Sequence, residues 1–122
     1  MILVDTSVWI DHLHRVEPAL VEALYADEVG SHPLVVEELA LGSIGERAAV
    51  LTLLSRLRPL PVADHDEVLA LVDGHRLWGR GLGAVDAHLL ASALLRAGSR
   101  LWTRDRRMRE AGRVLGIALV EA

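Results

Sequence analysis

Two acidic residues of this sequence closely follow short apolar runs. Asp5 comes directly after Ile2–Val4, and Asp105 comes after Leu101–Thr103 with one arginine between. Runs of this kind are typical of strands buried on both faces, so each carboxylate should stand at the carboxyl end of a strand. A carboxylate placed there needs a partner, because burying it alone is costly. Each acid could instead cap the helix that follows it, and the sequence leaves both interpretations open.

Two further acids lie on predicted helices. Asp86 is in the first turn of the segment 84–97, where it shares a face with Leu90 and other apolar residues and should point inward. Its simpler interpretation is that it complements the helix dipole. Glu38 lies on the helix that begins at Pro33, where an isolated acid is most often solvated or ion-paired.

Taken together, the four acids predict a metal site. Three or four carboxylates can converge only if a positive charge lies among them. The chain has no lysine, and Mg²⁺, which prefers oxygen ligands and keeps several waters, is the partner that the pattern favours, with Mn²⁺ as the alternative. Such an ion can activate water and stabilise the charge that develops on a phosphodiester. Three nearby hydroxyls could orient a ligand or a water, those of Thr6, Ser7 and Thr103.

Charge is distributed unevenly along the chain. The 122 residues carry a net charge of −4, which alone argues against a nucleic-acid ligand. Residues 76–113 nevertheless contain nine arginines and three acids, whereas residues 1–75 contain four arginines and thirteen acids. A polyanion could therefore bind the basic part. Three arginines close to the acids or in the glycine-rich loop 79–83 are the candidate phosphate contacts: Arg80, Arg104 and Arg106.

Composition excludes several other classes of site. There is no cysteine, so disulfides and Cys-ligated metal sites are excluded. The six histidines lack the spacing of zinc ligands. The longest stretch without Asp, Glu, Lys or Arg is Ala87–Leu95, too short to cross a membrane, and the start of the chain lacks a basic leader. We therefore expect a cytoplasmic protein that does not bind a membrane.

The rest of the chain alternates short apolar runs with helical segments. Five strands are predicted, at 2–4, 28–31, 59–62, 100–103 and 117–120, with helices such as 64–78 and 84–97 between them. This alternation predicts an α/β fold with a parallel sheet covered on both faces. Sheets of that type bind ligands beyond the carboxyl ends of their strands, where the strand order reverses.

Four segments that contain the acids resemble the PIN-domain ribonucleases and, within them, the VapC toxins of bacterial toxin–antitoxin pairs. The segments are Val4–Asp11, Val36–Gly42, Gly83–Ala93 and Leu101–Arg106. They occur in the order of the family and at similar spacing, over nearly the whole chain. The resemblance implies one PIN domain over residues 1–122. It also implies a three-layer α/β/α sandwich with a mostly parallel central sheet in the strand order 3-2-1-4-5.

The resemblance also carries an expectation of function. It implies an RNA endonuclease that depends on Mg²⁺ or Mn²⁺, forms a homodimer and is inhibited by a VapB-type antitoxin. The implied catalytic and metal-binding residues are Asp5, Glu38, Asp86 and Asp105. Glu38 is preferred to Glu37 because it matches the family's acid before Leu39.

Two other functions compete with this one. The first is a metal-dependent phosphohydrolase or phosphotransferase on a similar sheet. Enzymes of that kind that form an aspartyl-phosphate usually have a second acid two residues after the first and often a lysine, whereas this chain has Ser7 there and no lysine. The second is a non-catalytic binding module, against which the presence of acids in all four segments argues.

Overall fold

The computed structural model describes residues 1–121, in which seven helices surround five short strands; Ala122, the last residue of the predicted domain, lies outside the described residues. The strands are β1 (Ile2–Val4), β2 (Val29–Ser31), β3 (Arg58–Pro59), β4 (Arg100–Trp102) and β5 (Ala118–Leu119). The helices are α1 (Thr6–His14), α2 (Pro18–Tyr25), α3 (Pro33–Leu41), α4 (Arg47–Arg56), α5 (His65–Gly74), α6 (Ala84–Leu95) and α7 (Arg106–Val114).

The sheet confirms the predicted strand order. All strands are parallel and lie in the order β3-β2-β1-β4-β5. The order reverses between β1 and β4, where Val4 is paired with Trp102. Crossovers between parallel strands are right-handed, which puts α1–α4 on one face of the sheet and α5–α7 on the other. The contacts of α1 with α3, α3 with α4 and α5 with α6 agree with this three-layer arrangement.

The composition of the central strand β1 explains why helices cover both faces of the sheet. Ile2, Leu3 and Val4 are all buried, so the run without alternation contacts helices above and below the sheet. Trp9 from α1 and Trp102 from β4 are the largest fully buried side chains in the core. Within residues 1–121, no helix is long and apolar enough to span a bilayer.

Several predicted boundaries were wrong. The third strand is Arg58–Pro59 rather than 59–62, because Pro61 has no amide to continue the ladder after Leu60 donates to Ser31. The helix predicted over 64–78 ends at Gly74, and Arg76 then takes a left-handed conformation with φ of 52°.

Glycine substitutions at two positions test the packing beneath the sheet. A Cβ at Gly30 would lie 2.5 Å from Cγ of the buried Leu60, whereas a Cβ at Gly74 would meet no heavy atom within 4 Å. We expect Gly30→Ala to lower the free energy of unfolding by about 1–3 kcal/mol through overpacking. Gly74→Ala should raise it by up to about 1 kcal/mol, because alanine favours the helix. Urea unfolding curves measure both, and a Gly30→Ala variant as stable as the parent would contradict the close approach.

Candidate active site

The carboxylate of Asp5 is held at the end of β1 by two hydroxyl groups. Its side chain is 7% exposed, and its Oδ2 accepts hydrogen bonds from Ser7 Oγ at 2.7 Å and from Thr103 Oγ1 at 2.8 Å. Its backbone N–H donates to Trp102 O at 2.8 Å, which joins the carboxyl ends of β1 and β4. The alternative that the Asp5 side chain caps α1 is wrong, since it makes no capping hydrogen bond.

The same two hydroxyl groups fix the chain that follows β4. Thr103 Oγ1 accepts from the N–H of Asp105, and Ser7 Oγ accepts from the N–H of Arg104, each at 3.0 Å. Each hydroxyl therefore donates to Asp5 and accepts from the backbone of the next loop. The predicted supporting role of Ser7 and Thr103 has a direct geometric basis in these bonds.

Asp105 and Asp86 both stand at helix N-termini near this point. Asp105 caps α7, because its Oδ1 accepts from the N–H groups of Arg107 and Met108 at 2.8 and 3.1 Å. Asp86 is half-buried in the first turn of α6, and its Oδ2 accepts from the N–H of Gly83 at 2.9 Å. The helix-terminus interpretation is thus correct for both residues, and it leaves one carboxylate oxygen of each outside these bonds.

The pKa of Asp86 is affected by two of the other acids. Burial raises the pKa of the Asp86 carboxyl above its ordinary value, although the Gly83 hydrogen bond lowers it. The negative charges of Asp5 and Asp105 raise this pKa further. Asp86 therefore lies within electrostatic range of both acids, and the convergence of the carboxylates on one metal site stays a prediction.

Glu38 reaches the same edge of the sheet from α3. Thr6, which follows Asp5 as the first residue of α1, donates its hydroxyl to Glu38 Oε1 at 2.6 Å. This bond ties the side chain of Glu38 to the segment that carries Asp5. It gives a physical reason to prefer Glu38 to the equally exposed Glu37 as a site residue.

The donor set fits a hard divalent cation that retains water. The ion pairs within residues 1–121 involve Asp11, Glu17, Asp27, Glu28 and Glu121, and none of the four site acids. In the same part of the chain, no three His, Asp or Glu side chains are grouped closely enough to hold an ion directly. Each site carboxylate is instead turned toward a hydroxyl or an amide. Carboxylates that have no arginine partner suit Mg²⁺, because this ion prefers oxygen ligands and keeps several waters between itself and protein ligands.

The three candidate arginines differ in their surroundings. Arg104 is bound by two acids, with its Nε 3.2 Å from Asp11 Oδ2 and its Nη2 2.7 Å from Glu17 Oε2. Arg80 and Arg106 are exposed and form no ion pair with a carboxylate of residues 1–121. Arg104 therefore has a structural role between α1 and β4, while Arg80 and Arg106 present their charge to solvent.

Sequence reasoning missed His32, which lies immediately before the helix that carries Glu38. Its side chain is buried and caps α3, because Nδ1 accepts from the N–H of Leu34 at 3.1 Å. Burial, and next the neighbouring His88, lower the pKa of His32. His32 Nε2 and His88 Nδ1 are buried and have no hydrogen-bond partner among the described residues. The available signal was a polar residue immediately before Pro33, the usual pattern of an N-cap followed by proline.

Comparison with known proteins agrees with the fold. The family model of the PIN domain matches residues 2–114, and the chain therefore belongs to the PIN-domain family. Proteins of two strains of Mycobacterium tuberculosis, each named Ribonuclease VapC32, are 62% identical to it over 121 residues, which cover 99% of this chain and 98% of each relative. The likeness extends over both proteins almost completely, and it confirms the resemblance to the VapC branch of that family.

Asp86→Asn tests whether the acids repel one another without a metal. In EDTA at neutral pH we expect this variant to be more stable than the parent, by about 1 kcal/mol or less because the side chain is partly exposed. The folded state binds the Asp86 proton more tightly than the unfolded state does, so the gain should shrink as the pH falls toward 3.8, the ordinary pKa. Added Mg²⁺ should raise the melting temperature of the parent more than that of the variant. Equal stability in EDTA would contradict the repulsion.

Thr103 can be tested separately from the acids. Thr103→Val keeps the shape of the side chain but removes a donor to Asp5 and the acceptor of the Asp105 N–H. We expect a loss of about 1–3 kcal/mol in the free energy of unfolding, because buried polar groups lose their partners. Thr103→Ser retains both bonds and should lose less. If chemical denaturation ranks the two variants the other way, the hydroxyl does not hold the site together.

Proposed function

We propose that this protein is the toxin of a toxin–antitoxin pair and a Mg²⁺-dependent endoribonuclease that hydrolyses phosphodiester bonds in RNA, with Mn²⁺ as a substitute metal. The observation that carries the proposal is that Asp5 and Asp105 follow the two strands at the switch point of the sheet, close to which Thr6 binds Glu38. The charges of the same two aspartates act on Asp86. None of these four acids forms an ion pair within residues 1–121. The name of the relatives, Ribonuclease VapC32, supports RNA as the substrate class.

The proposed roles follow from the contacts of each acid. Asp5, Glu38, Asp86 and Asp105 would hold the cation, directly or through water. A bound Mg²⁺ supplies activation of water and compensation of phosphate charge. Ser7 and Thr103 orient the Asp5 carboxylate, while Thr6 orients Glu38. These hydroxyls restrict the rotation of the carboxylates and so reduce the entropy lost when a ligand binds.

The arginines supply the proposed contacts to the RNA backbone. Arg80 and Arg106 are exposed and outside the ion pairs of the described chain, so they can neutralise phosphates. Arg104 remains a predicted phosphate contact, but its bonds to Asp11 and Glu17 would have to be exchanged first. We therefore rank Arg80 and Arg106 above it.

The remaining proposals concern the context of the protein. We propose that residues 1–122 form one PIN domain, that the protein acts as a homodimer in the cytoplasm, and that a VapB-type antitoxin inhibits it. The assignment to the VapC branch supports the antitoxin as a partner. The group of unpaired carboxylates would attract a cationic group of such an inhibitor for the same reason that it attracts a metal.

Cleavage of a labelled RNA by the purified chain, with Mg²⁺ or with EDTA, tests the function. We expect cleavage only with the metal, and a loss on the order of 100-fold or more in Glu38→Gln, since a metal ligand contributes several kcal/mol to the transition state. The neighbouring Glu37→Gln is the matched control and should retain activity within about twofold, as expected of a surface change.

Asp27→Asn is a second control at the opposite edge of the sheet. Asp27 is paired with Arg58 at 3.2 Å, and asparagine tolerates its left-handed φ of 56°. Equal cleavage with Mg²⁺ and with EDTA would overturn the proposed metal-dependent function. A Glu37→Gln variant that loses activity while Glu38→Gln keeps it would overturn the assignment of Glu38.

A further inference from the structure

Trp78 is an exposed aromatic residue close to the candidate active site. Trp9 and Trp102 are buried, at 2% and 1% exposure, whereas Trp78 is 61% exposed. It lies in the loop between α5 and α6, in which Arg76, Gly79 and Gly81 all have positive φ. These turns present a large apolar ring to solvent, although burial of such a ring would be favourable.

The ring borders a cleft that begins beside Asp86. This cleft has a volume of about 430 Å³ and lies between α5 and α6. Its apolar lining includes Val68, Leu69, Val72, Trp78, Leu82 and Ala87. Gly83, whose N–H donates to Asp86, also lines it, as do the histidines His65 and His88. Gly83 therefore links the wall of the cleft to Asp86.

Arginines surround this apolar surface. Arg76 and Arg80 belong to the loop itself, and Arg107 of α7 packs on Gly81, where an added Cβ would lie 2.7 Å from Arg107 Nη1. None of the three forms an ion pair with a carboxylate of residues 1–121, whereas Arg100, Arg104 and Arg109 do. The surface thus combines an aromatic face with unpaired positive charge, which are the two features used to bind single-stranded nucleic acid.

We propose that Trp78 and the α5–α6 cleft form a base-binding subsite, in which an unstacked base of the substrate RNA stacks on the indole while adjacent phosphates contact Arg76, Arg80 and Arg107. This subsite rests on the proposed ribonuclease function and extends it to the recognition of unpaired bases of the substrate. Stacking on an aromatic ring tolerates different bases, so the subsite selects unpaired RNA rather than one sequence. An apolar peptide would leave the arginines without partners, which is why the charge favours RNA.

Fluorescence provides a direct test, because Trp78 is the exposed tryptophan and the other two are buried. The parent protein in EDTA, in which the proposed cleavage is blocked, is titrated with a short single-stranded oligoribonucleotide of mixed sequence. We expect quenching of the exposed indole by this RNA and little quenching by the same backbone carrying abasic sites. Trp78→Ala lacks this indole, so its affinity is measured by the anisotropy of the same RNA carrying a fluorophore. It should be about 5- to 150-fold weaker than that of the parent, which corresponds to the loss of one stacked base.

Matched variants separate stacking from simple apolar contact. Trp78→Tyr should retain most of the affinity, and Trp78→Leu should resemble Trp78→Ala. Tyr25, which is 90% exposed at the end of α2, is the control, and Tyr25→Ala should leave RNA affinity unchanged. With Mg²⁺, Trp78→Ala should mainly raise the KM of cleavage, since it removes binding rather than a metal ligand.

Several outcomes would overturn the subsite. Equal binding of intact and abasic RNA would do so, as would a Trp78→Ala variant whose affinity and KM equal those of the parent. A Trp78→Ala variant that dissociates a dimer, or loses a purified antitoxin, without a change in RNA affinity would assign the surface to a protein partner instead. Quenching by RNA without metal-dependent cleavage would support the subsite and overturn the nuclease. Metal-dependent cleavage with an unchanged KM in Trp78→Ala would support the proposed nuclease activity and overturn the subsite.

Discussion

The buried carboxylate of Asp5 is the constraint on which the rest of the site depends. It lies at the end of the central strand, and the hydroxyls of Ser7 and Thr103 hold it from two different segments. Each hydroxyl also accepts an N–H from the loop after β4. The same bonds that make burial of the charge tolerable therefore fix the position of Asp105 and the start of α7. The geometry of the proposed catalytic site and the stability of the fold therefore depend on one hydrogen-bond network.

The fold concentrates negative charge at one edge and leaves it uncompensated by arginine. The ion pairs of the described chain lie elsewhere, for example between Arg104 and Glu17 or between Arg58 and Asp27. Burial of the Asp86 carboxyl, and then the negative charges of Asp5 and Asp105, raise its pKa, so the ionised form of Asp86 lowers the stability of the fold. In the proposed function a bound cation would offset this loss of stability, a trade-off that is common in active sites.

Two histidines lie on or beside the helices that carry acids. His32 caps the helix that carries Glu38, and His88 lies two residues after Asp86 on α6. Burial, and next the neighbouring His88, lower the pKa of His32. Nε2 of His32 and Nδ1 of His88 are buried without a hydrogen-bond partner among the described residues. Buried polar atoms without a partner cost free energy, so these two rings lower the stability of the fold.

The predictions from sequence were most accurate where local pattern and physics coincide. The apolar run Ile2–Val4, the helix start at Pro33 and the start of the helix predicted from residue 64 all lie where the residue types predicted. The predicted end of α5 was wrong by several residues, because the apolar pattern continues to Trp78 although the backbone turns at Arg76. Exposed Trp78 could not be distinguished from a core residue, since its chemistry is the same in both places.

The sequence by itself determined which residues are acids, which segments form strands and helices, and, by resemblance, the strand order. Only the tertiary structure decided what each side chain contacts. In the folded protein the Asp5 carboxylate binds two hydroxyls and does not cap a helix. Asp105 caps α7. Arg104 pairs with Asp11 and Glu17. The physical reason is distance along the chain: Thr103 and Asp5 are 98 residues apart and meet only because β1 and β4 are neighbours. Local sequence specifies helices and strands through short-range contacts, whereas a site of this kind is assembled from contacts that exist only after the sheet has formed.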